Sequence, residues 1–192
     1  MQAKPYPLSP PTNPGVTNMK LVQKSLAMLF LAMVSMTAPA AATPLGKGDT
    51  PPDIVGRTLA AEPVTVSEHA GKVVVVSFWA TWCAYCLKEL PILEGLQKVA
   101  GKDNIQVIAV NTETSDVFRK VARQLSSLTM KLAYDPGKKG ASAYGVSGIP
   151  HLVIIGRDGK IIQVYRGYGE STLDAIVVDI NAALALPAAP AA

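Results

Sequence analysis

Between Lys72 and Trp79 the chain reads KVVVVSFW, apolar at almost every position and without the alternation of a half-exposed strand. Such a run predicts a central β-strand covered on both faces. Beyond it, Leu87, Leu90, Leu93, Leu96 and Val99 recur at helical spacing, with Pro91 expected to interrupt and kink that helix. Ile105 to Asn111 predicts a second buried strand, and Val117, Phe118, Val121, Leu125 and Leu128 mark another helix. Gly140 to Tyr144 predicts a short helix. His151 to Ile155 and Lys160 to Tyr165 flank Gly156-Arg157-Asp158-Gly159, a strong hairpin signal. Leu173, Ile176, Val177, Ile180 and Leu184 define a last helix, with Ser171 as its expected N-cap. Ahead of the long strand, Ile54 to Val66 alternates loosely and predicts a short hairpin, followed by a helical turn over residues 67–71 closed by Gly71. Strand-helix-strand-helix, then a hairpin and a helix, is the order of an α/β domain: a mixed sheet with helices on both faces.

The first 42 residues do not share this pattern. Residues 1–18 are rich in Pro, Asn and Thr and show no periodicity. Residues 19–42 read as a secretory signal peptide: a charged stretch Met19–Lys24, an apolar run Ser25–Met36, then Thr37-Ala38-Pro39-Ala40-Ala41-Ala42. An uncleaved N-terminal anchor is the alternative, although a run of about a dozen residues is short for a membrane span. Translation is then expected to begin at Met19, with residues 1–18 an over-called start. The folded domain is expected over 43–184, with a frayed Ala/Pro tail over 185–192.

The signal peptide changes the reading of charge. The chain carries a formal +4, but residues 1–42 hold Lys4, Lys20 and Lys24 and no acid, so the remainder stands at +1. A nearly neutral domain without a basic run gives no reason to expect nucleic-acid binding. No phosphate loop or nucleotide fingerprint is present; Gly145-Val146-Ser147-Gly148 precedes a strand rather than a helix.

The candidate chemistry lies where the long strand ends. Cys83 and Cys86, the chain's two cysteines, sit in Trp82-Cys83-Ala84-Tyr85-Cys86, at the junction between the strand and a helical pattern. A strand end presents the first sulfur, and the new helix points its unpaired N–H groups and positive dipole end at it, which stabilises a thiolate. The second sulfur follows about one turn later, close enough to close a small disulfide ring. Cys83 is therefore expected to be the exposed attacking thiolate and Cys86 the buried resolving thiol. Structural zinc fits poorly, since His69 and His151 lack suitable spacing and four ligands are usual. A purely structural disulfide closing so short a loop constrains little of the unfolded chain. A Cu(I)-carrying dithiol remains open, because soft thiolates select that ion. Glu89, three residues after Cys86 on the same helix face, is a candidate proton partner for the buried thiol.

With these elements in this order, the chain resembles the thioredoxin superfamily, and more narrowly the TlpA/ResA/CcmG group of exported thiol-disulfide oxidoreductases. The segment Gly71 to Cys83 looks like that group's active-site strand, and Pro91 matches its helix proline. Ala143 to Pro150 matches the segment ending in the cis-proline, Asp158-Gly159-Lys160-Ile161 the hairpin after it, and Gly48 to Asp53 the domain opening. The resemblance spans about residues 46–184. It implies a thioredoxin-like fold with an N-terminal β-hairpin extension and a disulfide reductase that needs no cofactor or metal beyond the Cys83–Cys86 couple. It implies that Glu89 is partly buried, with a raised pKa, and exchanges a proton with Cys86. Ile149 and Pro150, joined by a cis bond, would face the cysteines and pair with substrate, and Trp82 would form part of the docking surface. Trp79 is expected in the core. Thioredoxins proper place a buried Asp where this chain has Ser77. Implied partners are disulfide-containing proteins of the cytochrome c maturation or copper-site assembly type, and a membrane thiol-electron transporter of the DsbD/CcdA type. A monomer outside the cytoplasm, in the periplasm or anchored to the membrane, is expected. Tyr85, where reducing members often carry Pro, keeps an oxidase or isomerase in view. A copper chaperone using Cys83, Cys86 and His151 is the third reading.

Overall fold

The computed structural model describes residues 44–167 and 169–187; the expected leader, over-called start and most of the tail lie outside the described residues. Seven strands form one sheet: β1 (Ile54–Arg57), β2 (Pro63–Thr65), β3 (Val73–Trp79), β4 (Ile105–Asn111), β5 (Lys131–Tyr134), β6 (His151–Ile155) and β7 (Ile161–Arg166). The helices are α1 (Ala84–Ala100), α2 (Ser115–Gln124), α3 (Lys139–Ala143) and α4 (Glu170–Ala185). Strand order is β2-β1-β5-β4-β3-β6-β7. β3, β4 and β5 run parallel, whereas β6, β7 and the β1–β2 hairpin are antiparallel to their neighbours. The mixed sheet with helices on both faces is the predicted architecture.

β3 lies inside the sheet and all seven of its residues are buried, which is why its sequence lacks alternation. Its two faces serve two separate cores. Val73, Val75 and Trp79 join Leu90 and Leu93 of α1 and Ile176 and Ile180 of α4, with both cysteines in the same cluster. Val74, Val76 and Phe78 join Tyr144, the β1–β2 hairpin and Ala141 of α3 on the other side. Contact there is close: a β-carbon on Gly140 would fall on the carbonyl of Val55, so only glycine lets α3 seat on the hairpin.

Several expectations need correction. β5 was not predicted, and the helix read as reaching Leu128 ends at Gln124; Leu125 and Leu128 leave the helix and pack onto the cysteine-side core. α1 runs continuously through Pro91. The carbonyl that a proline frees belongs to Leu87, a half-exposed residue where water can satisfy it. The stripe from Leu87 to Val99 is not one buried face either: Val99 is 91% exposed. Each i+3 step falls about 60° short of a full turn, so a series of four such steps rotates off any single face. Glu89, Glu94 and Gln97 are buried on α1 instead. Gly169, not Ser171, caps α4.

Candidate active site

α1 begins on the disulfide. Cys83 is its N-cap, in extended conformation, and its sulfur accepts the Cys86 N–H at 3.2 Å. Cys83 and Cys86 are joined in a disulfide, with Cα atoms 5.3 Å apart. Cys86 is fully buried; Cys83, expected to be exposed, keeps only 6% of its surface. Cys83 is the more accessible of the two, but it shows a small window rather than an open face. The Cys83 N–H in turn donates to Ala80 O at 3.1 Å, closing the turn between β3 and α1.

That turn is held from the neighbouring strand. Glu113, just past β4, accepts the Thr81 N–H at 2.6 Å and the Thr81 hydroxyl at 2.9 Å. Asn111 fixes Glu113 from both ends: its amide donates to Oε2 at 3.1 Å, and its Oδ1 accepts the Glu113 N–H at 2.9 Å. Thr112 donates its N–H to Trp79 O at 3.0 Å. Glu113 escaped sequence reasoning because its partner Thr81 lies thirty-two residues away, and Asn111 because its part is to hold Glu113; the one available signal was polar residues at the end of a buried strand.

Beneath the disulfide lies a buried polar pair. By strand alternation Ser77 faces the cysteine-side core with Val75 and Trp79, and its hydroxyl donates to Glu89 Oε1 at 2.7 Å. Both residues are buried. Burial raises the Glu89 pKa to about 7, against the opposing pull of the Ser77 hydrogen bond. Glu89 and Cys86, three apart on α1, both lie on the helix's buried side.

The Ile149–Pro150 peptide is cis. Ile149 packs against the core that holds the cysteines, and Pro150 O accepts the Gly167 N–H at 2.9 Å. Trp82, 73% exposed, stands beside Cys83 in sequence, whereas Trp79 is wholly buried. Tyr85 lies under the Lys88 ammonium, 5.7 Å from its ring centre. His151 is not brought to the cysteines. It pairs with Phe78 across β3 and β6, and its ring meets the Phe78 ring edge-on at 6.1 Å, in the opposite core. Burial, with the Arg166 charge, lowers its pKa to about 4, and neither ring nitrogen has a hydrogen-bond partner. No cluster of three or more His, Cys, Asp or Glu suited to a metal occurs among the described residues.

The chain is similar to known proteins. The Redoxin family matches residues 46–183. The thiol-disulfide oxidoreductase ResA of Bacillus thuringiensis subsp. konkukian is 30% identical over 120 residues, covering 62% of this chain and 69% of that protein. The thioredoxin-like protein YneN of Bacillus subtilis is 34% identical over 125 residues, covering 63% and 72%. Among solved structures, a Chlorobium tepidum protein assigned as thiol:disulfide interchange protein DsbE superposes with a TM-score of 0.64 at 30% identity, over 73% of this chain and 99% of that one. The exposed lipoprotein thioredoxin of Streptococcus pneumoniae superposes with a TM-score of 0.56 at 27% identity, over 68% and 97%. With a helix-capping Cys83–Cys86 disulfide on this sheet, the chain belongs to the Redoxin family, as a TlpA/ResA/CcmG-type thiol-disulfide oxidoreductase of the thioredoxin superfamily.

Proposed function

We propose that the protein works outside the cytoplasm as a reductase of protein disulfides. Its substrates are of the cytochrome c maturation or copper-site assembly type, and a membrane thiol-electron transporter of the DsbD/CcdA type restores its dithiol. The observation that carries the reading is the carboxylate buried three residues after Cys86 on the buried side of α1: burial raises the Glu89 pKa to about 7, where a resolving cysteine needs a base. The Cys83 thiolate bonds to one substrate sulfur and expels the other as a thiolate. Cys86 gives its proton to Glu89, attacks Cys83 Sγ and closes the intramolecular disulfide. The second substrate sulfur leaves and takes up a proton. Two electrons pass to the substrate, and the protein is left in the oxidised form that the structure records. Ile149 and Pro150 would hold the substrate backbone, with Trp82 as an apolar docking surface. The apolar run before residue 43 and the likeness to an exposed lipoprotein thioredoxin support an extracytoplasmic, cleaved or anchored form.

Tyr85 before the second cysteine favours a second reading, an oxidase or isomerase, because the residues between the cysteines tune their potential. The copper-chaperone reading loses a ligand, since His151 lies in the other core. The reduction potential of the Cys83–Cys86 couple separates the first two. A value near or below about −230 mV is expected for a reductase; one between about −120 and −180 mV would make the protein a disulfide donor or shuffler.

A further inference from the structure

In the buried run of β3, Ser77 carries the one hydroxyl; the strand's other polar atom, the Trp79 indole nitrogen, has no hydrogen-bond partner. A hydroxyl at the middle of a central strand must find a partner or bear the cost of desolvation. Its neighbours across the sheet are Ala109 and Leu152, which offer no side-chain polar atom, and its hydroxyl goes to Glu89 Oε1. A hydroxyl has one proton to give, and the bond it makes to an ionised carboxylate is about twice as strong as the bond to a neutral acid. We infer that Ser77 is a positioning residue of the resolving step: its hydroxyl favours the ionised form of Glu89 and aims that carboxylate, so that Glu89 stands ready to take the proton of Cys86.

This role rests on the reading of Glu89 as the acceptor of that proton. It goes further by assigning the control of that acceptor to a strand residue that itself takes up neither the proton nor the electrons. Among the described residues, no other charged side chain bears on Glu89. Among the described residues, β3, β4 and β6 bring no Asp, Glu, Lys, Arg or His to this face. α1 brings the two cysteines and, more than a turn further on, Glu94, which is engaged by the backbone of Thr129 and Met130. β7 and α4 bring Tyr165 and Asp179, which bond each other at 2.6 Å. Burial pushes Glu89 toward its neutral form, and the Ser77 bond is what opposes it. A serine that merely filled space would affect stability and leave the chemistry's pH dependence alone.

The two chemical steps separate in stopped-flow mixing of the reduced full chain with excess dithiobis-nitrobenzoate. Attack by Cys83 releases one coloured thiolate and leaves the mixed disulfide; attack by Cys86 releases the second and closes the intramolecular disulfide. Followed across about pH 5 to 9, the second phase of the unmodified protein is expected to rise with a midpoint near the Glu89 value of about 7. Ser77→Ala is expected to move that midpoint up by roughly one pH unit, slowing the second phase as much as tenfold below it, while the first phase keeps its profile. Ser77→Thr and Ser77→Val have one shape and differ in the hydroxyl: the Thr variant should keep the original midpoint and the Val variant should shift like Ala. A second-phase midpoint unmoved in both Ser77→Ala and Ser77→Val overturns the inference, as does a Thr variant that shifts as far as Val. Glu89→Gln distinguishes the two levels. If it abolishes the rise, Glu89 is the acceptor and the Ser77 variants decide the inference alone; if the rise survives in Glu89→Gln, the underlying reading of Glu89 fails and the Ser77 role falls with it.

Discussion

Glu89 and His151, buried in the two cores on either side of β3, are treated in opposite ways. On the cysteine side Glu89 has a hydrogen-bond donor, Ser77, and burial drives its pKa up to about 7. On the hairpin side His151 is equally buried, packs edge-on against Phe78 and has no partner for either nitrogen, and burial with the Arg166 charge lowers its pKa to about 4. One group is held where its proton can be exchanged near neutrality; the other is kept neutral and serves as a flat, space-filling ring. A buried ionisable residue is therefore marked as part of the chemistry by its partner and its neighbours, not by its burial.

The largest expected effect breaks the comparison outright. Cys86→Ser should abolish turnover and trap the mixed disulfide on Cys83, detectable as a covalent adduct in mass spectrometry under non-reducing conditions. His151→Phe, in the other core, should change turnover by less than about twofold, because its ring packs on Phe78 on the face of the sheet away from the cysteines.

Stability against pH sharpens the contrast next. A carboxyl raised from 4.5 to about 7 binds more protons in the folded than in the unfolded state between those values, so its contribution falls as pH rises through that window. A histidine lowered from 6.5 to about 4 does the reverse, and its contribution falls as pH drops below 6.5. Between 4.5 and 6.5 the two slopes oppose each other. Glu89→Gln should remove its slope and gain up to about 3 kcal/mol above pH 7. His151→Phe should gain up to a similar amount, about 3 kcal/mol, near pH 4. Denaturant melts at several pH values check both; parallel curves for mutants and parent would remove the distinction.

A smaller loss is expected at the clamp on the active-site turn. Glu113→Ala leaves the Thr81 N–H and hydroxyl without their acceptor and should cost about 1–3 kcal/mol in the same melts. Smallest in stability is Trp82→Ala, within about 0.5 kcal/mol for so exposed a side chain. Its effect should fall on KM for a protein substrate and spare the rate with a small disulfide.

Much of this was legible from local pattern. The unbroken apolar run of β3, the cysteines one turn apart at its end, and the Gly156–Gly159 turn each carry their structure within a few residues. The invisible parts depend on partners distant in sequence. Glu94 looks like a solvent-facing helix residue, yet it accepts the N–H groups of Thr129 and Met130, thirty-five and thirty-six positions on. Gln97 does the same for Val107, accepting its N–H at 2.6 Å, so that a side chain continues the sheet's hydrogen bonding where β5 has not yet begun. β5 itself is a four-residue strand, half-buried, with no periodicity to announce it. Glu89 could be placed beside Cys86 from spacing, but its donor, Ser77, belongs to another element.

Cys83, the proposed attacking sulfur, is also the cap of α1, accepting the Cys86 N–H. A thiolate is a stronger acceptor than the neutral sulfur of a disulfide, whether that disulfide is intramolecular or shared with substrate. The redox state of the protein is thereby written into its backbone: protection of the Cys86 amide against hydrogen–deuterium exchange should rise on reduction, fall in the mixed disulfide, and serve as an internal clock for the catalytic cycle without any added label.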